Sequence, residues 1–246
     1  MENLRRRQSN TETVGSVNFS ENPTATGYTS ARIWCWSINL ISTIVAIWGL
    51  LALPARMDAI MAMALFPVAA LITMNRFEGI AQFDAPRERR RPSTLLAFFF
   101  PSTLLALRGM MYWNILRWST LCIPAFAFSL LLFALSLWLS IEARQKRAVG
   151  IILSFICVFY GFGVTVNLNG ALANSHSVYF QARVLEKLYN TGRYAYEDFV
   201  LSPWGPQKQT NRVSVQDVVY RRHRTGDIVS ITVTNGALGI PFYSIK

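Results

Sequence analysis

Apolar residues in this chain gather into long unbroken runs. Residues 119–141 (STLCIPAFAFSLLLFALSLWLSI) and 149–166 (VGIILSFICVFYGFGVTV) are two of them, separated by the charged turn EARQKR at 142–147. A helix rises about 1.5 Å per residue, so roughly 20 apolar residues cross a hydrocarbon core about 30 Å thick. Lipid obliges each backbone group to be paired within its own segment, so two such runs on a short turn predict an antiparallel helical hairpin. Residues 33–53 (IWCWSINLISTIVAIWGLLAL) and 59–74 (AIMAMALFPVAALITM) predict two further spans joined by the turn at 54–58. Trp34 and Trp36 suit a membrane interface, and Pro67 is expected to kink the shorter span.

The segment from 75 to 118 sets the topology. Residues 94–107 are apolar, but the run is short, contains Pro101 and meets Arg108. A run of about 10–14 apolar residues is typically re-entrant or interfacial. Arg108 and Arg117 flank Met110, Met111, Tyr112, Trp113, Ile115 and Leu116, a mixture suited to the headgroup layer. Four spans leave both termini in the cytoplasm but put Arg144, Lys146 and Arg147 outside, against the positive-inside tendency. Five spans would bring those residues inside and place the C-terminus in the periplasm. Segment length and Pro101 favour four.

After residue 170 the period changes. Val178, Phe180, Ala182 and Val184 alternate with Tyr179, Gln181 and Arg183, and Val229, Ile231 and Val233 alternate with Ser230, Thr232 and Thr234. Residues 194–201 are β-prone, residues 213–220 fit a strand or a helical turn, and Asn235-Gly236 predicts a two-residue hairpin turn. The expected fold is therefore an α-helical multi-pass membrane protein with a small C-terminal all-β domain. It comprises a disordered tail (1–31), a membrane domain (32–170) and the β-domain (171–246). The four transmembrane helices span about 33–53, 59–74, 119–141 and 149–167, with an interfacial or re-entrant helix within 94–117.

Composition agrees with this reading. Of 246 residues, 52% are hydrophobic and only 15% charged, against roughly 25% charged in soluble domains. The formal net charge of +11 beside membrane spans points to anionic lipid headgroups and away from nucleic acid. Arg87, Arg89, Arg90 and Arg91, with Arg108 and Arg117, are the candidate lipid-contacting residues. Arg221, Arg222 and Arg224 form a candidate docking surface. Cys35, Cys122 and Cys157 all lie in apolar runs, with no CxxC pair, so no metal site or disulfide framework is expected. The spans lack Asp, Glu, Lys, Arg and His, which argues against a proton-coupled transporter. Asn39 is the span residue most in need of a partner, and Gly161-Phe162-Gly163 invites close helix approach. Nothing marks a cofactor or a catalytic set.

The segment FPSTLLALRGMMYWNILRW (100–118), the exit VNLNG (166–170), the ending Tyr220-x5-Gly226-Asp227-x-Val229 and NGALGIPFY (235–243) resemble a loosely defined group of proteobacterial inner-membrane proteins without assigned function. That resemblance implies a bacterial inner-membrane protein with a C-terminal β-domain, and no catalytic residue. With four spans the β-domain would be cytoplasmic. The functional expectation is an interaction or adaptor protein, or a subunit of a larger membrane complex, partnered by other membrane proteins or by itself. One rival is an oligomeric pore lined by Asn39, Asn167 and Asn169. The other is a membrane enzyme acting on lipid or envelope precursors, with Asp58, Arg108, Arg117 and His176 as its only candidates.

Overall fold

The computed structural model describes residues 25–52, 56–83, 91–173, 176–190 and 196–245. Its helices are α1 (Ala25–Leu51), α2 (Met57–Arg76), α3 (Leu95–Tyr112), α4 (Ser119–Leu139), the short α5 (Ile141–Gln145) and α6 (Arg147–Ala171). Five of them, all but α5, are long and apolar enough to cross a membrane. The expected four become five because residues 94–107 belong to α3, an 18-residue helix, about 27 Å long at 1.5 Å per residue. Two assumptions behind the shorter reading fail. Arg108 does not end the segment: it is fully buried, and its guanidinium donates to the carbonyls of Gly49 and Ala52 at the end of α1. Pro101 lies inside the helix without ending it, as happens where neighbouring helices stabilise a proline-containing span. At the other end of the chain, α1 begins at Ala25, inside the region expected to be tail.

The centre of the bundle is α6, packed between α4 and α3. The Gly161-Phe162-Gly163 segment serves both neighbours. A Cβ on Gly161 would lie 2.1 Å from Ser129 Oγ of α4, and one on Gly163 would lie 2.6 Å from Ala106 N of α3. The other faces are lined by exposed Ile44, Leu131, Phe155 and Val158, a band that water would penalise and lipid would solvate. Asn39 of α1 finds the partner it was expected to need. It donates to Ser93 O at 2.6 Å and accepts from Ala97 N at 2.9 Å, tying α1 to the start of α3. At this same end Ser140 Oγ accepts from Ala143 N and so caps α5, and Glu142 Oε2 accepts from Phe83 N at 2.6 Å. The connections before α3 and before α6 therefore meet at one end of the bundle.

The opposite end carries the sheet. Its strands are β1 (Asn114–Ile115), β2 (Ser177–Asn190), β3 (Tyr196–Leu201), β4 (Asn211–Ser214), β5 (Ile228–Asn235) and β6 (Pro241–Ile245), with α7 (Asp217–Arg222) after β4. The strand order is β1-β6-β5-β2-β3-β4. Every pairing between these strands is antiparallel. The long β2 pairs with β5 through Ser177–Arg183, then with β3 from Val184 onward, with an irregularity between Val184 and Glu186. That change of partner rolls the sheet into a half-barrel around Val184, Phe199, Leu201, Trp204, Val229 and Ile231.

Two details depart from expectation. Residues 213–220 are neither one strand nor one helix: they divide between β4 and α7. Asn235-Gly236 does not form a two-residue turn. Asn235 pairs with Pro241, leaving a five-residue loop at 236–240 in which the positive φ falls on Gly239, at 72°.

Candidate functional site at the helix–sheet junction

The sheet grows out of the helix bundle rather than hanging from it. The connection from α3 to α4 supplies β1, where Asn114 pairs with Tyr243 and Ile115 with Phe242, and Leu116 N donates to Pro241 O at 2.9 Å. Beneath it, Trp113 meets Phe242 edge-on with centroids 4.9 Å apart. The indole lies over Gly170, where a Cβ would sit 2.4 Å from the ring. Ile115, Leu121, Val166 and Ile240 close a small core that draws on strand, loop and both helices.

Asn169, in the last turn of α6, clamps the β5–β6 loop from below. Its Nδ2 donates to Ile240 O at 2.9 Å, its Oδ1 accepts from Leu238 N at 3.0 Å, and its main-chain carbonyl accepts from Ala237 N at 3.1 Å. Gly236 is glycine because a Cβ there would lie 2.1 Å from Asn169 Nδ2. Asn167, one turn deeper, donates from Nδ2 to Leu105 O at 2.9 Å and to Gly163 O at 2.8 Å. The three asparagines considered as a pore lining are thus engaged in joining elements of a single chain.

The charged candidates sort by end. On the β-domain, Arg221 pairs with Asp217, and Arg222 and Arg224 stand exposed on and just after α7. Lys187 of β2 secures that helix: its Nζ donates to Tyr220 O at 2.6 Å and His223 O at 2.7 Å, and lies 4.1 Å from the Tyr220 ring centroid. Beside it, loss of solvation and the hydrogen bond and negative charge of Asp217 push the Glu197 carboxyl above its usual range. The outward side of the β2–β5 pair presents Tyr179 (70% exposed), Gln181, Arg183 and Ile228 (57% exposed). Arg117 is exposed beside β1. Arg108, expected at the headgroups, is instead sealed against α1 and lies 5.3 Å from the Tyr112 ring centroid. At the opposite end Arg91 donates to Gly79 O at 3.1 Å. Arg87, Arg89 and Arg90 lie outside the described residues.

The chain matches no protein family, no curated protein and no solved structure. Its chemistry must therefore be read from the geometry. No group of three or more His, Cys, Asp or Glu suited to a metal ion occurs among the described residues. Of the four residues an enzyme could use, Asp58 is paired with Arg56 at 2.6 Å and Arg108 is held by carbonyls. Arg117 and His176 are exposed.

Sequence reasoning missed the junction. A two-residue strand has no period to detect, and Asn169 looked like a polar helix exit. The usable signal was Asn169-Gly170 directly following an apolar span, a place where a buried amide and a missing side chain both imply a close neighbour.

Proposed function

We propose that this chain is an integral membrane docking protein, an adaptor or a subunit of a larger membrane complex, whose β-domain is the docking module. The observation that carries the reading is the shared sheet. Because β1 comes from the connection between two membrane helices and the β5–β6 loop is clamped by Asn169, the outer sheet face stands at a fixed height and orientation above the bundle. A partner meeting Tyr179, Arg183 and Ile228 would pay little ordering entropy at this surface. Tyrosine and arginine are also favoured at protein interfaces.

With four spans the β-domain would be cytoplasmic; five spans move it to the opposite side from the N-terminus. Among the described residues, the end at which α1 begins carries Arg32, Arg76, Arg91, Arg144, Lys146 and Arg147. The short connections at the sheet end carry Arg56 and Arg117. The positive-inside tendency then holds the basic end in the cytoplasm and the β-domain outside. In the bacterial inner membrane that the motif resemblance implies, that side is the periplasm.

Two measurements test the reading. In a variant lacking Cys35, Cys122 and Cys157, an impermeant thiol reagent applied to intact spheroplasts is expected to label Ser202→Cys and spare Gln145→Cys. The reverse pattern refutes the orientation. A photo-crosslinking residue at Tyr179 or Ile228 in native membranes is expected to give one discrete protein adduct, absent when the probe is at Phe155. No adduct from either sheet position refutes the docking role.

A further inference from the structure

The β5–β6 loop has the wrong composition for water. Loops at an aqueous surface favour Asn, Asp, Ser and Pro, but Gly236-Ala237-Leu238-Gly239-Ile240 holds no polar side chain. Ala237, Leu238 and Gly239 are nonetheless exposed, Leu238 by 43%. The hairpin that carries the loop has no Asp, Glu, Lys, Arg or His from Ile228 to Ile245. Charge stands at the other end of these strands. Ser177 pairs with Thr234 near the loop, whereas Arg183 pairs with Ile228, and Asp227 O accepts from Val184 N, at the far end.

The height of the loop is set by α6. Asn169 accepts from Ala237 N through its main-chain carbonyl and from Leu238 N through Oδ1. From Arg147, the first residue of α6, to Asn169 is about 33 Å at 1.5 Å per residue. With Arg147 at one boundary, a hydrocarbon core of about 30 Å ends just short of Asn169. The loop is then level with the junction of acyl chains and headgroups, and it continues the exposed apolar band of Ile123 and Phe126 on α4. Arg117 adds an exposed cation at that level, next to Leu116, whose N–H donates to Pro241 O. An apolar tip beside a cation suits an anionic membrane interface.

We infer that the β5–β6 loop is a membrane-contact element, with Leu238 seated among the lipids of the leaflet on the sheet side. The inference rests on the proposed membrane-spanning arrangement of the helices, and it makes the bilayer itself a partner of the β-domain. Full-length protein lacking Cys35, Cys122 and Cys157, in vesicles of phosphatidylethanolamine and phosphatidylglycerol, tests it with a nitroxide at Leu238→Cys, Ser230→Cys or Phe126→Cys. Power saturation by oxygen and by a water-soluble nickel chelate reads the depth of each label. Ser230 is exposed on β5, about 17 Å from Asn235 at about 3.4 Å per residue, clear of a headgroup layer roughly 5–8 Å thick. The oxygen-to-nickel accessibility ratio at Leu238 is expected to exceed that at Ser230 several-fold and to fall below that at Phe126. A deep Phe126 with Leu238 as aqueous as Ser230 overturns this inference alone. An aqueous Phe126 overturns the spanning arrangement with it. In the chain with its native cysteines, a photo-crosslinking residue at Leu238 should give phospholipid adducts in native membranes, detected by mass spectrometry, and one at Ser230 should give none. No lipid adduct at Leu238, or equal adducts at both positions, overturns the contact.

Discussion

Asn169 and Gly236 should fail the test of additivity in a defined direction. In Asn169→Ala the 2.9 Å bond to Ile240 O and the bonds from Leu238 N at 3.0 Å and Ile240 N at 3.4 Å are lost. Two of the three partner groups keep another bond or reach water. Ile240 O still accepts from Gly236 N at 3.1 Å, and Leu238 is 43% exposed, so its N–H can reach water. The buried Ile240 N–H loses its Asn169 acceptor, so the lost bonds and one desolvation penalty together cost roughly 2–5 kcal/mol. In Gly236→Ala the new Cβ would lie within 2.2 Å of three Asn169 side-chain atoms. That amide cannot swing aside without breaking its own bonds, so overpacking should cost about 2–3 kcal/mol. In the Asn169→Ala background those atoms are gone, and the same glycine substitution should cost less than about 0.5 kcal/mol, leaving a compensating coupling of about 2 kcal/mol. Denaturant or thermal unfolding of the full chain in detergent, for wild type, both single variants and the double, measures the cycle. Amide exchange at residues 236–240 should accelerate about tenfold or more in Asn169→Ala, since 1.4 kcal/mol is a factor of ten. Equal cost of Gly236→Ala in both backgrounds, or unchanged exchange in the loop, would refute the clamp.

Three further outcomes follow from named contacts. Gly161→Ala and Gly163→Ala should each lower the detergent melting temperature, with about 1–3 kcal/mol of overpacking against Ser129 and Ala106; Gly150→Ala, whose Cβ would sit at an ordinary 3.4 Å from Ala143 O, should be nearly neutral, and equal effects at the three sites would discredit the packing argument. Arg108→Met should destabilise by about 2–4 kcal/mol by stripping the Gly49 and Ala52 carbonyls of their donor, and Arg108→Lys should recover part of the loss in the same melting assay; a fully stable Arg108→Met would show that the cap is dispensable. The raised Glu197 carboxyl favours the protonated fold, so its contribution is complete below the unfolded-state pKa and is lost as pH rises through the folded one; Glu197→Gln should flatten the stability profile upward from the ordinary carboxylate range, and an unchanged slope would exclude Glu197 as its source.

The helices whose outer faces are exposed and apolar were legible because the apolar runs themselves record it. Residues 119–141 and 149–166 become α4 and α6, and the spans at 33–53 and 59–74 become α1 and α2, with boundaries shifted by a turn or two. The alternation at 178–184 and 229–233 likewise became the paired strands β2 and β5. In α3 the apolar count failed, because that count assigns every arginine to solvent or lipid. Arg108 faces neither: its partners are the last carbonyls of α1, where a cation is favoured by the helix dipole. No window along the chain can report that, since the partners lie 56 and 59 positions away.

The charge pattern, by contrast, had anticipated the fifth span. Four crossings would have set Arg144, Lys146 and Arg147 at the end opposite Arg76 and Arg91, whereas a fifth brings them to the same end. The geometry agrees independently of any charge rule. Phe83 N donating to Glu142 joins the 77–94 and 140–146 connections at one end, and Asn114 pairing with Tyr243 joins the α3–α4 connection to the C-terminal sheet at the other. Each contact requires its two segments to emerge at the same end, and only an odd number of crossings between Ala25 and Ala171 satisfies both. The span count and the construction of the sheet are thus one fact: α3 must cross for β1 to reach β6, and the surface proposed for docking exists only because it does.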